Sequence, residues 1–171
     1  MIGRYDVVIW NTVFTIVNFY HIVRIINERR IVFIPEEIKD IYENIFGDFT
    51  TKEFMNFWNL GNYKNSSNSL IIKEGEKQYN LLLILNGDVT VKREDQILNK
   101  LGRGKFIAEM SLITNEPATA NIYSNKNVRY ISWNQDELKH FQVSNKDLWI
   151  KLHNILSKDL IQKIKSTSHN N

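Results

Sequence analysis

Glycine spacing constrains the fold of this chain more than any other feature. Four of its seven glycines lie between short apolar segments: Gly75, Gly87, Gly102 and Gly104. Glycine is the default residue where a turn needs a positive φ, so these positions predict turns. The apolar segments between them are too short for helices and are typical of strands. The spacing therefore predicts an all-β roll or barrel over about residues 66–133.

Six short strands are predicted here, because the apolar pattern changes to a strand period at Ser69. Their ranges are 70–72, 81–85, 89–91, 97–101, 120–123 and 128–133. Helical patterns precede and follow them: Pro35 begins one helix, Thr50 or Thr51 caps another, and residues 148–164 form an amphipathic helix. The predicted fold class is α+β, a β-roll of the double-stranded β-helix or jelly-roll type with flanking N- and C-terminal helices.

Residues 7–26 form the most apolar long stretch. About 20 mostly apolar residues can span a bilayer, and this stretch just reaches that length. Asn11, Thr15 and Asn18 lie on one stripe of the predicted helix, which indicates packing against a neighbouring helix. The basic residues after the stretch would keep the rest of the chain on the cytoplasmic side. A membrane helix and a soluble packing helix both stay open, so the expected location is the membrane, facing the cytoplasm, or the cytoplasm.

Composition and motifs argue against several classes of function. The chain has no cysteine, which excludes disulfides and thiolate metal sites. The net charge is +3 without a run of like charges, so we expect no nucleic-acid partner. The four histidines lack metal-site spacing, and they are His21, His140, His153 and His169. We therefore expect a protein that is not an enzyme and that has no metal or cofactor.

The predicted domain organisation has three parts. Residues 1–34 form the N-terminal apolar helix, and residues 35–165 form the globular domain. Within that domain the β-roll is followed by C-terminal helices at residues 134–165. Residues 166–171 are expected to be a flexible tail.

The framework of the roll resembles that of a known family. The segments Lys73–Glu76, Leu83–Val91 and Leu101–Phe106 closely resemble cyclic-nucleotide-binding domains, such as those of catabolite activator proteins and regulatory kinase subunits. The segment Phe106–Ile122 is similar to the phosphate-binding cassette of that family. The resemblance covers about residues 66–140, and it implies a cyclic nucleotide such as cyclic AMP as the ligand.

The resemblance also implies which residues bind the ligand. They are Phe106, Ile107, Ala108, Glu109, Met110, Ser111, Pro117, Ala118 and Thr119. Glu109 stands at the position of the family's ribose-binding carboxylate. Ala118 stands where the family has the arginine that pairs with the phosphate, and Ala108 stands where it has a glycine. Losing one charge-assisted hydrogen bond removes about 1.5–3 kcal/mol of binding energy.

Two other basic residues lie close in sequence to the cassette. Arg103 and Lys105 are the nearest substitutes for the absent arginine, although charges in such turns are usually solvated. A cassette without a ligand, serving only as a structural loop, stays open as the alternative.

The flanking segments narrow the family. Asp6–Asn11, Arg29–Phe33 and Pro35–Glu37 resemble the start of the Popeye domain, including the membrane helix before it. Val128–Trp133 and Leu148–Ile164 are similar to its closing strand and C-terminal helix. This resemblance implies a membrane protein with a cytoplasmic domain that binds cyclic AMP and partner proteins and self-associates.

The resemblance to the Popeye domain is incomplete at one motif. Residues 108–111 read Ala-Glu-Met-Ser, where Popeye proteins carry a motif of the Asp-Ser-Pro-Glu type. We also expect one membrane span at most. Two functions stay open: a cyclic-nucleotide sensor with a degenerate cassette, or a ligand-independent module that dimerises or binds a protein through its terminal helices.

Overall fold

The computed structural model of the chain describes residues 3–28, 32–94 and 96–168. It divides into two units, Met1–Phe33 and Ile34–Asn171. The elements, in chain order, are α1 (Gly3–Glu28), α2 (Glu36–Ile45), α3 (Thr51–Trp58), β1 (Asn62–Ser67), β2 (Leu70–Ile72), β3 (Asn80–Arg93), β4 (Gln96–Leu101), β5 (Phe106–Ile107), α4 (Glu109–Thr114), β6 (Asn121–Asn134), α5 (Gln135–Ser144) and α6 (Lys146–Ser168). The predictions made for residues 29–31 and for His169 lie outside the described residues.

Two long antiparallel strands, β3 and β6, form the centre of the sheet. Their pairing runs from Asn80 opposite Asn134 to Lys92 opposite Asn121. The strand order is β1-β6-β3-β4, while β2 also pairs with β6 and β5 also pairs with β3. This antiparallel sheet with helices before and after it confirms the predicted fold class.

The structure joins strands that the sequence predicted as separate. Residues 81–85 and 89–91 belong to β3, and residues 120–123 and 128–133 belong almost entirely to β6. The interruption is a register shift around Asn86–Asp88, where Gly87 has φ +81°. A bulge of this kind bends a strand without ending it. Gly75 and Gly104 also have positive φ, whereas Gly102 does not, so the expectation for Gly102 was wrong.

Strand β1 was absent from the prediction, which placed the first strand after Ser69. Its sequence, Asn-Tyr-Lys-Asn-Ser-Ser, is polar, and most of its residues are exposed. The strand pairs with β6 from Asn62 opposite Ser132 to Ser67 opposite Asn127. An exposed edge strand gives no alternation of apolar and polar residues, so periodicity alone does not indicate it.

Two hydrophobic clusters lie on the two faces of the bent sheet. The first joins the sheet to helices α2, α3, α5 and α6, and its largest buried side chains include Phe54, Phe57 and Trp133. The rings of Phe57 and Trp133 stack at 4.7 Å, and the indole N–H donates to the Phe57 carbonyl oxygen at 3.1 Å. The second cluster fills the interior of the roll, where Ile84 and Val89 are fully buried.

Capping residues set the starts of two helices. The Thr50 hydroxyl accepts from the Glu53 backbone N–H, and the Glu53 carboxylate accepts from the Thr50 N–H, which completes a capping box at α3. The Asn134 side chain accepts from the Asp136 backbone N–H at the start of α5. At the other end of the chain, α6 continues to Ser168 and so includes residues 166–168 of the predicted tail.

Helix α1 presents apolar side chains to solvent all around its axis. The 18 residues Val7–Arg24 are all exposed, and among the described residues this is the one helix long and apolar enough to cross a membrane. The hydroxyls of Thr12 and Thr15 donate to backbone oxygens one turn earlier, so these polar groups are partly satisfied within the helix.

Candidate functional site

A cavity of about 380 Å³ opens between the roll, the cassette and α6. Eight of the nine predicted site residues line it, all except Pro117. Most of the wall is aliphatic and comes from the strands: Ile72, Val91, Leu98, Leu101, Ile107 and Ile122. Leu160 and Ile164 of α6 also contribute, so the C-terminal helix forms part of the wall. The cavity thus has an apolar body and few polar groups, as small-molecule sites generally have.

Ala108 immediately precedes α4 in a conformation that favours glycine. Its φ is +65° and its ψ is +17°, in the left-handed region. An L-residue with a Cβ costs roughly 1–2 kcal/mol there. This left-handed conformation explains why glycine is expected at this position.

Helix α4 is short and carries two buried polar side chains. It spans six residues, and Asn115, the C-cap that follows it, again has a positive φ, +60°. Glu109 is 5% exposed and Ser111 is 5% exposed, and both line the cavity. A buried carboxylate needs compensation by a charge or by hydrogen bonds, because its desolvation is costly.

Lys163 of α6 compensates the charge of Glu109. Its ammonium donates to Glu109 Oε1 at 2.5 Å and to the Phe106 carbonyl oxygen at 2.6 Å. It also forms an ion pair with Asp159, one helical turn earlier, whose Oδ2 lies 2.7 Å away. The side chains of Lys163, Glu109 and Asp159 are 14%, 7% and 9% exposed. One lysine therefore serves two buried carboxylates, and it ties α6 to the cassette.

Sequence reasoning did not identify Lys163, although α6 carries a signal for it. Leu152, Leu156 and Asp159 recur at helical spacing on the buried side of α6, and Lys163 continues that row. A lysine and an aspartate one turn apart on the apolar stripe of a helix indicate a buried ion pair. The partner Glu109 lies 54 residues away in sequence, so only the fold reveals it.

The position of the absent arginine is part of a backbone bridge. The Gly75 N–H donates to the Ala118 oxygen at 2.8 Å, and the Ala118 N–H donates to the Glu76 oxygen at 3.0 Å. These bonds join the cassette to the turn before β3. The methyl group of Ala118 lines the cavity and brings no charge to it.

Arg93, at the end of β3, is a cation that the sequence did not indicate. It lines the cavity, and its Nε donates to the Thr119 carbonyl oxygen at 2.8 Å. The same Nε is 3.8 Å from Glu74 Oε1. A guanidinium thus lies beside the residue that follows Ala118, although it comes from a different strand.

The two basic residues named as substitutes serve other partners. Arg103 donates to the Asp40 carboxylate at 2.9 and 2.7 Å, and this hydrogen bond holds the pKa of Asp40 below its usual value. It also bonds the backbone oxygens of Glu37 and Leu85. Lys105 donates to Asp159 at 3.3 Å and to Gln162 at 3.1 Å. Neither lines the cavity, and both are engaged in tertiary contacts instead of being solvated turn residues.

Within the residues that the structure describes, histidine, aspartate and glutamate form no group of three that could hold a metal ion.

Solved structures of cyclic-nucleotide-binding domains resemble the fold of this chain. A cyclic nucleotide-binding domain from Methylobacillus flagellatus KT superimposes with a TM-score of 0.73 and 26% identity, over 79% of this chain and 80% of that one. The second cyclic-nucleotide-binding domain of a protein kinase A regulatory subunit, bound to Sp-2Cl-cAMPS, gives a TM-score of 0.64 at 18% identity, over 79% and 86%.

Curated relatives match the sequence at greater length. Popeye domain-containing protein 1 of Danio rerio is 23% identical over 172 residues, which cover 94% of this chain and 49% of that protein. The Homo sapiens protein of the same name is 22% identical, over 94% and 48%. The chain thus spans about half the length of these relatives. A family model described as POPDC1-3 matches residues 1–170, and the chain therefore belongs to the Popeye domain-containing family.

Proposed function

We propose that this chain is a non-enzymatic regulatory domain whose cavity binds a cyclic nucleotide such as cyclic AMP. The observation that carries the proposal is Glu109, a buried carboxylate in the wall of a cavity of about 380 Å³. Ligand cavities usually measure about 300–1,000 Å³, so the space suits a mononucleotide. A kinase regulatory domain of the same fold binds a cyclic AMP analogue.

The apolar wall and Glu109 would contact different parts of the ligand. The aliphatic side chains of the strands and of α6 offer contact area to the base and the sugar, and Glu109 can accept a hydrogen bond from the ribose 2′-hydroxyl. To do so, Glu109 exchanges part of its contact with Lys163 for the ligand. Because Ala118 brings no charge, we expect weaker binding than in domains with an arginine there.

Calorimetric titration of the full chain, in a mild nonionic detergent, tests the proposal with cyclic AMP and cyclic GMP. Glu109→Gln keeps the shape of the side chain and removes its charge, so we expect the affinity to fall at least tenfold, since a charge-assisted bond contributes about 1.5–3 kcal/mol. Glu116→Gln, at an exposed position after α4, is the matched control and should bind as the wild type does. No heat with millimolar nucleotide, or equal affinities for the two variants, would contradict the proposal.

A second proposal concerns α1, which we infer to be a membrane anchor with the domain on the cytoplasmic side. The support is the complete exposure of Val7–Arg24 and the length of that segment. Arg24, at its C-terminal end, agrees with the excess of basic residues on cytoplasmic sides.

Flotation of the full chain with phosphatidylcholine vesicles tests the anchor. Paired substitutions Ile16→Asp and Val17→Asp place two charges in the middle of α1, at a cost of about 5 kcal/mol for insertion. We expect this variant to leave the vesicle fraction, whereas Val143→Asp, at an exposed apolar residue of α5, should stay with it.

Light scattering tests the alternative to the cyclic-nucleotide sensor, which is a ligand-independent interaction module. Exposed isoleucines on α6, Ile150, Ile161 and Ile164, support self-association through the C-terminal helix. A wild-type chain that scatters light as a dimer and gives no heat with millimolar nucleotide would favour that module over the cyclic-nucleotide sensor. A wild-type chain that stays out of the vesicle fraction would overturn the anchor, and a monomer would overturn self-association.

A further inference from the structure

The cations that line the cavity differ in how far their charges are already compensated. Among the described residues they are Arg93 and Lys163. The ammonium of Lys163 contacts two buried carboxylates and a carbonyl oxygen, so its charge is fully used inside the protein. An anionic group of a ligand would find no net positive charge there. The other cation, Arg93, therefore decides where an anion can bind.

Arg93 is held by one end of its guanidinium. The contacts to Thr119 and to Glu74 both use Nε, at 2.8 and 3.8 Å. The side chain is 47% exposed, and its ion pair with Glu74 is long enough to be weak. The two terminal nitrogens of the guanidinium form a fork that can donate two parallel hydrogen bonds to a phosphate.

The location of this guanidinium matches the place where the cassette lacks one. Thr119, which accepts the Nε hydrogen bond, directly follows Ala118. Arg93 itself ends β3, whose penultimate residue Lys92 pairs with Asn121 at the start of β6. The cassette has no positive side chain at position 118. The guanidinium of Arg93, from the end of β3, lies on that side of the cavity instead.

We propose that Arg93 is the anion-binding residue of the cavity and holds the cyclic phosphate in place of an arginine at position 118. This inference rests on the proposed cyclic-nucleotide function. It adds the residue that binds the phosphate and the requirement that the ligand be an anion. The ligand carries one phosphate negative charge, which lies against the end of β3 and the Thr119 backbone. Glu74 lies outside the cavity wall, and its long contact with Arg93 leaves the Thr119 carbonyl oxygen as the main partner of Nε.

Titrations with cyclic AMP and with adenosine, its uncharged relative without phosphate, test this inference on the full chain. Wild type should bind cyclic AMP about ten- to a hundredfold more tightly than adenosine, as one charge-assisted bond predicts. Arg93→Gln should remove that preference and leave the adenosine affinity unchanged. Lys92→Gln is the matched control, since Lys92 lies over the Tyr123 ring and not in the cavity wall.

The outcomes separate this inference from the function on which it rests. If wild type binds neither ligand, the proposed function fails. If wild type prefers cyclic AMP and Arg93→Gln keeps that preference, the cavity function stands and the assignment of Arg93 is overturned. A rescue variant that combines Arg93→Gln with Ala118→Arg should regain the preference, and thermal melting of each variant confirms that it is folded.

Discussion

Lys163→Met should lower the free energy of unfolding by about 3 kcal/mol or more. The substitution keeps the length of the apolar stem and removes the charge that serves Glu109 and Asp159. Removing one member of a buried ion pair typically costs about 3–5 kcal/mol, because the other member stays buried without compensation. Lys105 still contacts Asp159, so the loss falls mainly on Glu109. Urea denaturation followed by tryptophan fluorescence measures it.

Two further variants show whether the loss comes from the buried charges. Lys158→Met alters a lysine of the same helix that is 70% exposed and 3.9 Å from Asp48, and it should change stability by less than about 0.5 kcal/mol. Adding Glu109→Gln to Lys163→Met should restore part of the loss, since it removes the uncompensated carboxylate. If Lys163→Met and Lys158→Met had equal free energies of unfolding, the buried ion pair would contribute nothing measurable to stability.

Gly87→Ala is expected to destabilise the roll by about 3 kcal/mol. Gly87 has φ +81°, which costs an alanine roughly 1–2 kcal/mol. An added Cβ would also lie 2.6 Å from the Asn127 oxygen and 3.1 Å from Val128 Cα, both backbone atoms of β6. Such overpacking costs typically about 1–3 kcal/mol more. The same urea denaturation measures the loss.

Gly75→Ala is the matched control for that substitution. Gly75 has almost the same φ, +77°, but a Cβ there meets nothing within 4 Å. It should therefore lose only the conformational part, about 1–2 kcal/mol. The difference between the two variants isolates the close approach of β3 and β6 at the bend. Equal losses would show that the bend tolerates a side chain.

The sequence predicted the roll well because its signals are local. Turn glycines and apolar strands lie next to each other in the chain, and they indicate where the backbone reverses or bends. The same signals overdivided β3 and β6, because a bulge such as that at Gly87 resembles a turn when only neighbouring residues are considered. Strand β1 gave no signal, since its polar side chains face solvent.

The candidate site was predictable only in part, for a different reason. The cassette residues that line the cavity come from two short runs, 106–111 and 118–119, within one segment of the chain, so their common location was within reach of the sequence. The charges that complete the wall come from distant segments: Arg93 from the end of a strand and Lys163 from the last helix. No periodicity connects them to residues 106–119, because their meeting depends on how β3 and α6 pack.

The contact between Lys163 and Glu109 has a thermodynamic consequence that extends beyond the cavity. Lys163 belongs to α6 and Glu109 to α4. A ligand that replaced Lys163 as the hydrogen-bond partner of Glu109 would therefore change the free energy that holds α6 against α4. Linkage is reciprocal: whatever fixes α6 in this position, such as a second protein, changes the affinity of the cavity by the same factor. Through Lys163, occupancy of the cavity and the position of the C-terminal helix would thus be thermodynamically coupled.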